Sequence, residues 1–365
     1  MRFWKEKGVK GFRFDVVNLI SKPDKYENDC EGDGRRFYTD GMHVHEYLKE
    51  LVKDTGIEDM ITVGEMSSTS LDNCIRYSNP EEKELSMCFN FHHLKVDYKN
   101  GNKWELMDTD RKELKRLFEE WQIGMQEHNG WNSLFWCNHD QPRIVSRMGN
   151  EKDYWKQSAK MLVAAVHLMR GTPYIYQGEE IGMPNAHFKD IADYRDVESL
   201  NYYEILLKEG KTKEEAIKTL QERSRDNSRT PMQWSDEENA GFSDVTPWIS
   251  VPDHYEEINV ENELKDQDSI YYFYKKLIEL RKEKEVIQEG TIEFFEKEDD
   301  DLLAYERNYK EEHLVVLNNL TEREKEVEIP QLWTSYHKLI GNYDTENIKE
   351  NKVVLRPYET LVLEK

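Results

Sequence analysis

The chain has 365 residues, 37% hydrophobic and 12% aromatic, enough for a large domain with a sizeable core and a smaller one beside it. Its formal net charge is −23, from 74 acidic against 51 basic side chains, which argues against a general nucleic-acid or anionic-membrane surface. Such a balance fits a protein that handles neutral sugars, and an anionic ligand would need a local basic pocket.

No segment approaches the roughly 20 apolar residues of a membrane span. The charged Lys5-Glu6-Lys7 carries no signal-peptide core. Cys30, Cys74, Cys88 and Cys137 lack paired spacing, so reduced thiols in a cytoplasm are expected. Along the first half, short apolar runs stand out at Gly11 to Asp15, Met60 to Glu65, Met87 to Phe91, Leu134 to Asn138 and Pro173 to Tyr176. Runs of this length suit strands buried on both faces. Between them, Val44, Tyr47, Leu48 and Leu51 mark one helix face, Leu114, Leu117, Phe118 and Trp121 a second, and Ala159, Leu162, Val163 and Val166 a third. Strands alternating with helices predict a parallel sheet.

Polar residues recur where these strands end: Asp15, Glu65, His92-His93, His139-Asp140 and Glu179-Glu180. That recurrence suits the C-terminal face of a (β/α)8 barrel better than a doubly wound sheet. An irregular, polar excursion follows at about 185–253. The stripe Ile270, Phe273, Tyr274, Leu277, Ile278 and Arg281 predicts the last barrel helix. Beyond it, Leu302 to Tyr305, His313 to Leu317 and Thr360 to Leu363, separated by charged turns, predict a small antiparallel β domain. The expected division is a catalytic barrel part at 1–286 and a β-sandwich at 287–365. The acidic run Glu296 to Asp301 reads as a solvated turn.

Asp15 and Glu65 end adjacent predicted strands. Paired carboxylates are what glycoside hydrolysis needs, one to attack the anomeric carbon and one to protonate the leaving oxygen. Arg13 lies on the same strand face as Asp15 and would keep it ionised. Asp140, preceded by His139, is a third acid for sugar hydroxyls and an oxocarbenium-like charge. A buried Arg13–Asp15 pair with Glu65 as a helix cap is the alternative on composition and spacing alone. His43 and His45 are two apart on a predicted helix and do not make a metal pair.

The segments Gly11-Phe12-Arg13-Phe14-Asp15, Val63-Gly64-Glu65 and Asn138-His139-Asp140-Gln141-Pro142-Arg143 resemble, in order, conserved segments of the α-amylase family of retaining α-glucosidases (glycoside hydrolase family 13). The likeness continues through Gly171 to Met183 and Arg225 to Trp234. The resemblance implies that Asp15 is the nucleophile, Glu65 the acid/base and Asp140 the transition-state stabiliser. It implies substrate contacts for Arg13, His139 and Arg225. Val16 is the residue typical of members that cut α-1,6 bonds or trehalose phosphate.

Glu31 to Gly41, Met66 to Ser70 and Phe89 to Lys95 look like members that hydrolyse α,α-trehalose 6-phosphate to glucose and glucose 6-phosphate. Arg35, Arg36 and Lys95 are then the candidate phosphate contacts, as cations on loops after barrel strands. The alternatives are an oligo-1,6-glucosidase acting on isomaltose-type oligosaccharides and a non-catalytic carbohydrate-binding remnant. Family members carry three barrel strands and a calcium-binding loop ahead of the segment that matches Met1. The expected fold is therefore α/β, a partial (β/α)8 TIM barrel (strands 4–8) with a C-terminal antiparallel β domain. No cofactor or metal is expected here. The expected partners are a small sugar or sugar phosphate and a complementary N-terminal fragment, without which the chain is expected to be weakly folded or inactive.

Overall fold

Parallel strands run through the first half of the computed structural model, which describes residues 1–365. They are β1 (Gly11–Phe14), β2 (Ile61–Glu65), β3 (Met87–Phe89), β4 (Ser133–Leu134) and β5 (Thr172–Pro173). β1 pairs with β2, β2 with β3 and β4 with β5, all parallel, and a bridge from Cys88 to Asn132 joins the two groups. The strands thus follow chain order, with β1 and β5 each paired on one side. β4 and β5 are shorter than the apolar runs at Leu134 to Asn138 and Pro173 to Tyr176 imply. The Tyr174 N–H still donates to Leu134 O at 2.8 Å, after which the ladder ends and Trp136 donates its ring N–H to Leu162 O at 2.7 Å.

The helices of this half are α1 (Arg2–Glu6), α2 (Val44–Thr55), α3 (Leu71–Ser78), α4 (Arg111–Glu127), α5 (Ile144–Met148) and α6 (Trp155–His167). Side-chain caps start two of them, Ser70 accepting from Asn73 N–H at 3.2 Å and Asp110 from Glu113 N–H at 2.9 Å. α2 buries Val44, His45, Leu48 and Val52, whereas Tyr47 is 43% exposed. The buried face is turned from the predicted one because the imidazole of His45 is tied to the buried carboxylate of Glu84 at 2.8 Å. α4 buries its predicted stripe of Leu114, Leu117, Phe118 and Trp121. α6 is buried almost throughout, since it packs against the helix at Ile270–Glu283 on one side and the C-terminal sheet on another.

The segment after β5 carries α7 (Val197–Lys208), α8 (Lys213–Arg223) and α9 (Asp226–Arg229). It has its own apolar cluster, including Trp104, Phe188, Tyr203 and Leu220. α10 (Val260–Lys265), α11 (Ile270–Glu283) and α12 (Glu285–Glu289) lead out of it. On α11, Ile270, Phe273, Tyr274 and Leu277 are buried while Ile278 is 38% exposed.

The C-terminal strands are β6 (Thr291–Phe295), β7 (Leu302–Tyr309), β8 (Glu312–Asn319), β9 (Lys325–Glu328), β10 (His337–Gly341), β11 (Ile348–Lys349), β12 (Lys352–Leu355) and β13 (Thr360–Glu364). They form two antiparallel sheets, ordered β10-β13-β8-β7-β6 and β11-β12-β9. Alternation along β7 divides its side chains. Leu302 and Ala304 join Val327 and Val353 between the sheets, while Leu303 and Tyr305 join the core that runs on to α4 and α6.

Polar ties cross the same boundary. The buried Arg307 guanidinium donates to the carbonyls of Thr291 (3.1 Å), Ile287 (3.2 Å), Gly290 (2.8 Å) and Leu168. The acidic run is more than a solvated turn. Its carbonyls at Glu296 and Asp299 accept from the Lys115 ammonium, and the Asp301 carboxylate takes Arg111 at 2.8 Å and Arg323 at 2.7 Å.

Replacing Arg307 by Ala strands several buried carbonyls at once. The expected cost is about 3 kcal/mol of unfolding free energy, read as a lowered urea midpoint. A midpoint within error of the parent would show that those carbonyls find other donors.

Candidate active site

The end of β1 fixes the first two charged groups. Side chains alternate along a strand, so Arg13 and Asp15 share a face, and Arg13 Nη1 donates to Asp15 Oδ1 at 2.7 Å. Register pairs Arg13 with Val63 and Phe14 with Gly64, which brings Asp15 beside Glu65 at the end of β2. The other terminal nitrogen of Arg13 pairs with Glu65. One guanidinium therefore holds both carboxylates. Their surroundings differ: the Asp15 side chain is 71% exposed and that of Glu65 is 11% exposed.

Asp140 follows β4 and is held by arginines from the excursion. Arg229 Nη2 lies 2.7 Å from its carboxylate, Arg225 Nε 3.6 Å and His139 Nε2 3.6 Å. Arg229 also donates to His139 O at 2.8 Å and pairs with Asp196 at 3.2 Å. Arg225 continues the chain of charge to Glu198 at 3.1 Å, and Glu198 to Lys103 at 2.8 Å. The sequence reading singled out Arg225 but not Arg229. Their four-residue separation across α9 is the signal that both reach one face. Lys103 and Glu198 carry no local signal, because they meet only through contacts about a hundred residues apart in the chain.

Two cavities meet at Glu65. The first, about 220 Å³, is lined by Glu65, Asp140, Val16, Arg35, Lys95 and Lys103 among others. The second, about 230 Å³, brings Arg13 and His139 against the aromatic side chains of Phe89, Phe91, Phe135, Tyr174 and Tyr176. Asp15 lines neither and stands at the open lip beside Arg13.

The cations divide clearly. Burial, and then the nearby charge of Arg35, pull the pKa of the Lys95 ammonium below the usual lysine range. Burial does the same to Lys103, with Glu198 opposing it. Arg36 is elsewhere, held by Asp29 at 2.8 Å and by Glu31. His92 and His93 support the loop rather than face the cavities. His92 Nε2 is 2.8 Å from Thr69 O with its ring stacked on Trp121, and His93 Nε2 is 2.9 Å from Phe135 O.

Beneath the second cavity, the buried Arg143 donates to Gln177 O at 2.5 Å and Asn227 O at 3.2 Å, tying the loop after β5 to α9. Glu179 accepts from Tyr176 N–H at 2.7 Å, and burial pushes its carboxyl pKa up to about 7. No group of three or more His, Cys, Asp or Glu side chains is placed to hold a metal. The arrangement offers an exposed carboxylate, a sheltered one beside it, and a third braced by arginines. Together they suit attack, proton transfer and charge stabilisation at one carbon centre.

A family model described as the alpha amylase catalytic domain matches residues 1–290, and one described as the alpha-amylase SusG C-terminal domain matches 302–362. The trehalose-6-phosphate hydrolase of Bacillus subtilis (strain 168) is 51% identical over 99% of this chain and 65% of its own length. That of Escherichia coli (strain K12) is 50% identical over 98% of this chain and 65% of its own. The oligo-1,6-glucosidase of Bacillus cereus is 44% identical over 99% of this chain and 66% of its own. The crystal structure of Bacillus licheniformis trehalose-6-phosphate hydrolase superposes with a TM-score of 0.95 at 54% identity, covering 100% of this chain and 66% of that one. The chain thus spans about 65% of the length of the curated relatives it matches.

Glu179 gives the site a titration signature. Its folded pKa of about 7 lies above the ordinary 4.5, so between those values the folded state binds the extra proton. Stability is then complete below pH 4.5 and falls as pH rises through 7, by about 3 kcal/mol for this group. Glu179→Gln stays neutral. Relative to the parent, its unfolding free energy is expected to gain that amount between pH 4.5 and 8 in urea titrations. A pH-independent difference between the two proteins would contradict a buried carboxyl at 179.

Proposed function

The chain belongs to the α-amylase family, and on that premise we propose that its site hydrolyses the α-glucosidic bond of α,α-trehalose 6-phosphate with retention of configuration. Asp15 attacks the anomeric carbon, forming a glucosyl ester as the glycosidic bond breaks. Glu65 gives its proton to the leaving oxygen, releasing glucose 6-phosphate. Glu65 then takes a proton from water, which opens the ester, frees glucose and returns Asp15 to its carboxylate. Arg13 touches both acids, and exchanging its hold on Glu65 for Asp15 alone lets Glu65 carry that proton. A shared guanidinium keeps the acids close, which favours the double displacement over direct water attack at the wider carboxylate spacing of about 6.5–9.5 Å. Asp140, braced by Arg229 and Arg225, meets sugar hydroxyls and the positive charge that develops on the ring.

The observation that carries the substrate is the cation wall. In a protein of net charge −23, Arg35, Lys95 and Lys103 line the same cavity as Glu65 and Asp140. Lys95 has a like charge, Arg35, as its charged neighbour. A phosphate dianion satisfies both, with Lys103 across the cavity. Arg36, paired with both Asp29 and Glu31 and absent from the cavity lining, has no place in this reading of the phosphate contacts, whereas Arg35 lines the cavity although it also meets Asp33 at 3.2 Å. An oligo-1,6-glucosidase is the second reading. It is favoured by the 44% identity to the Bacillus cereus enzyme, and it uses the same carboxylates while leaving the cations without a task.

Turnover in this reading needs a further polypeptide over β1. Asp15 is 71% exposed, and Phe3 and Trp4, on the helix that precedes β1, are each more than half exposed. Charge stabilisation of this kind is strong only where water is excluded. The covering segment has the character of the remaining third of the relatives, supplied in the same chain or by a partner.

The test assays trehalose 6-phosphate and isomaltose with the chain alone and with the separately expressed leading third of the Bacillus subtilis relative. With that segment, turnover of trehalose 6-phosphate is expected to exceed that of isomaltose, and Asp15→Asn to abolish it. Lys95→Met is expected to raise KM for trehalose 6-phosphate roughly tenfold, the loss of one charge-assisted hydrogen bond, with isomaltose unaffected. Equal loss on both substrates would favour the second reading. Sugar binding without turnover under either condition would support a non-catalytic remnant, and full turnover by the chain alone would refute the need for a covering segment.

A further inference from the structure

Asn18 lies three residues past Asp15 and is fully buried. Its side-chain amide behaves like a strand neighbour of Ser67, which lies two residues past Glu65. Ser67 N–H donates to Asn18 Oδ1 at 2.8 Å, and Asn18 Nδ2 donates to Ser67 O at 2.9 Å. The same Nδ2 reaches Asp40 Oδ1 at 3.1 Å, and Asp40 N–H returns to Asn18 O at 2.9 Å. The rest of the Asp40 carboxylate takes Tyr77 O–H at 2.7 Å, Thr69 O–H at 2.9 Å and Asn73 Nδ2 at 2.9 Å. Four side-chain donors thus converge on one carboxylate behind the site. They join the loop that carries Arg35 to the loop after β2, and His92 extends the link from Thr69 O to the loop after β3.

Between Asp15 and this network stands Val16, whose φ of 37° and ψ of 44° are left-handed. That conformation is an outlier for a β-branched residue and persists only where the surroundings impose it. The Val16 carbonyl accepts from Leu19 N–H at 3.0 Å, and Val17 is buried on the other side. Asn18, two residues on, has side-chain partners on both loops, Asp40 on one and Ser67 on the other.

We propose that Asn18, backed by Asp40, is a positioning residue that holds Val16 left-handed and so sets Asp15 against Glu65 for the reaction. This rests on the hydrolase reading above for its consequence, but not for its geometry. An isosteric aspartate cannot do the same. It loses both donations made by Nδ2 and sets a second carboxylate against Asp40. Glycine at 16 adopts the left-handed conformation without help, so it weakens the dependence on Asn18.

The experiment is a double-mutant cycle over Val16→Gly and Asn18→Ala, with Asn18→Asp alongside. In the protein assembled with the covering segment, Asn18→Ala and Asn18→Asp are expected to lower kcat on the order of 100-fold, the size of effect that sub-ångström misplacement produces, with KM for trehalose 6-phosphate within about threefold. In the Val16→Gly background, Asn18→Ala is expected to cost less than about tenfold. Equal losses in both backgrounds, or a loss confined to KM, would overturn the proposal. The same cycle read as urea midpoints on the chain alone needs no turnover. Non-additive shifts support the hold on Val16, and additive shifts overturn it. A parent protein that cleaves no α-glucoside would sink the hydrolase reading while the midpoint cycle still decides this one.

Discussion

A single guanidinium held between two carboxylates is the constraint on which the rest of this site depends. Arg13 reaches Asp15 with one terminal nitrogen and Glu65 with the other. Two acids this close repel when both are ionised, and a cation between them makes the pair tolerable in one place. The contact exists because two backbone regularities coincide. Alternation puts Arg13 and Asp15 on one face of β1, and the parallel register of β1 with β2 carries Glu65 alongside. A shift of one residue in that register would turn Glu65 away from both.

Around that centre the electrostatics are layered. The acidic composition keeps the surface negative, while the loops after β1 and β3 and the residues near α7 and α9 return positive charge to the cavity. Asp140 is drawn into place by Arg229 and Arg225, and those arginines are held in turn through Asp196 and Glu198 at the start of α7. Arg143, buried below, holds the carbonyls of Asn227 and Ser228 within the short α9 and that of Gln177 in the loop after β5. The excursion after β5 is therefore part of the site's frame, although its own apolar cluster is separate from the main core. The C-terminal sheets contribute differently. Through Tyr305, Arg307 and the carbonyls that hold Lys115 they brace α4 and α6, the helices that back β3 to β5.

What could be read from the chain was what short-range periodicity records. Period-two alternation placed Arg13 with Asp15, and an apolar run ending in an acid marked the strand end at Glu65, whereas the run before Asp140 outlasts β4, which ends at Leu134. The α4 stripe of Leu114, Leu117, Phe118 and Trp121 follows directly from a helical repeat. What stayed hidden depends on partners distant in sequence. Tyr47 was expected inside, but the His45–Glu84 contact rotates α2 and leaves it in water. Arg36 and Arg35 are equivalent by composition, and only the fold shows Asp29 claiming Arg36 while Arg35, beside Asp33, lines the cavity with Lys95. Lys103 and Glu198 meet across 95 residues, a pairing no local pattern encodes.

The central claim is that Asp15 carries the sugar between the two halves of the reaction. The most direct measurement is mass spectrometry of the assembled protein, denatured and digested after quenching with 5-fluoro-α-D-glucosyl fluoride. A single glycosyl adduct on the peptide that contains Asp15 is the expected result. An adduct on the Glu65 peptide, or steady turnover with no adduct at all, would contradict the account.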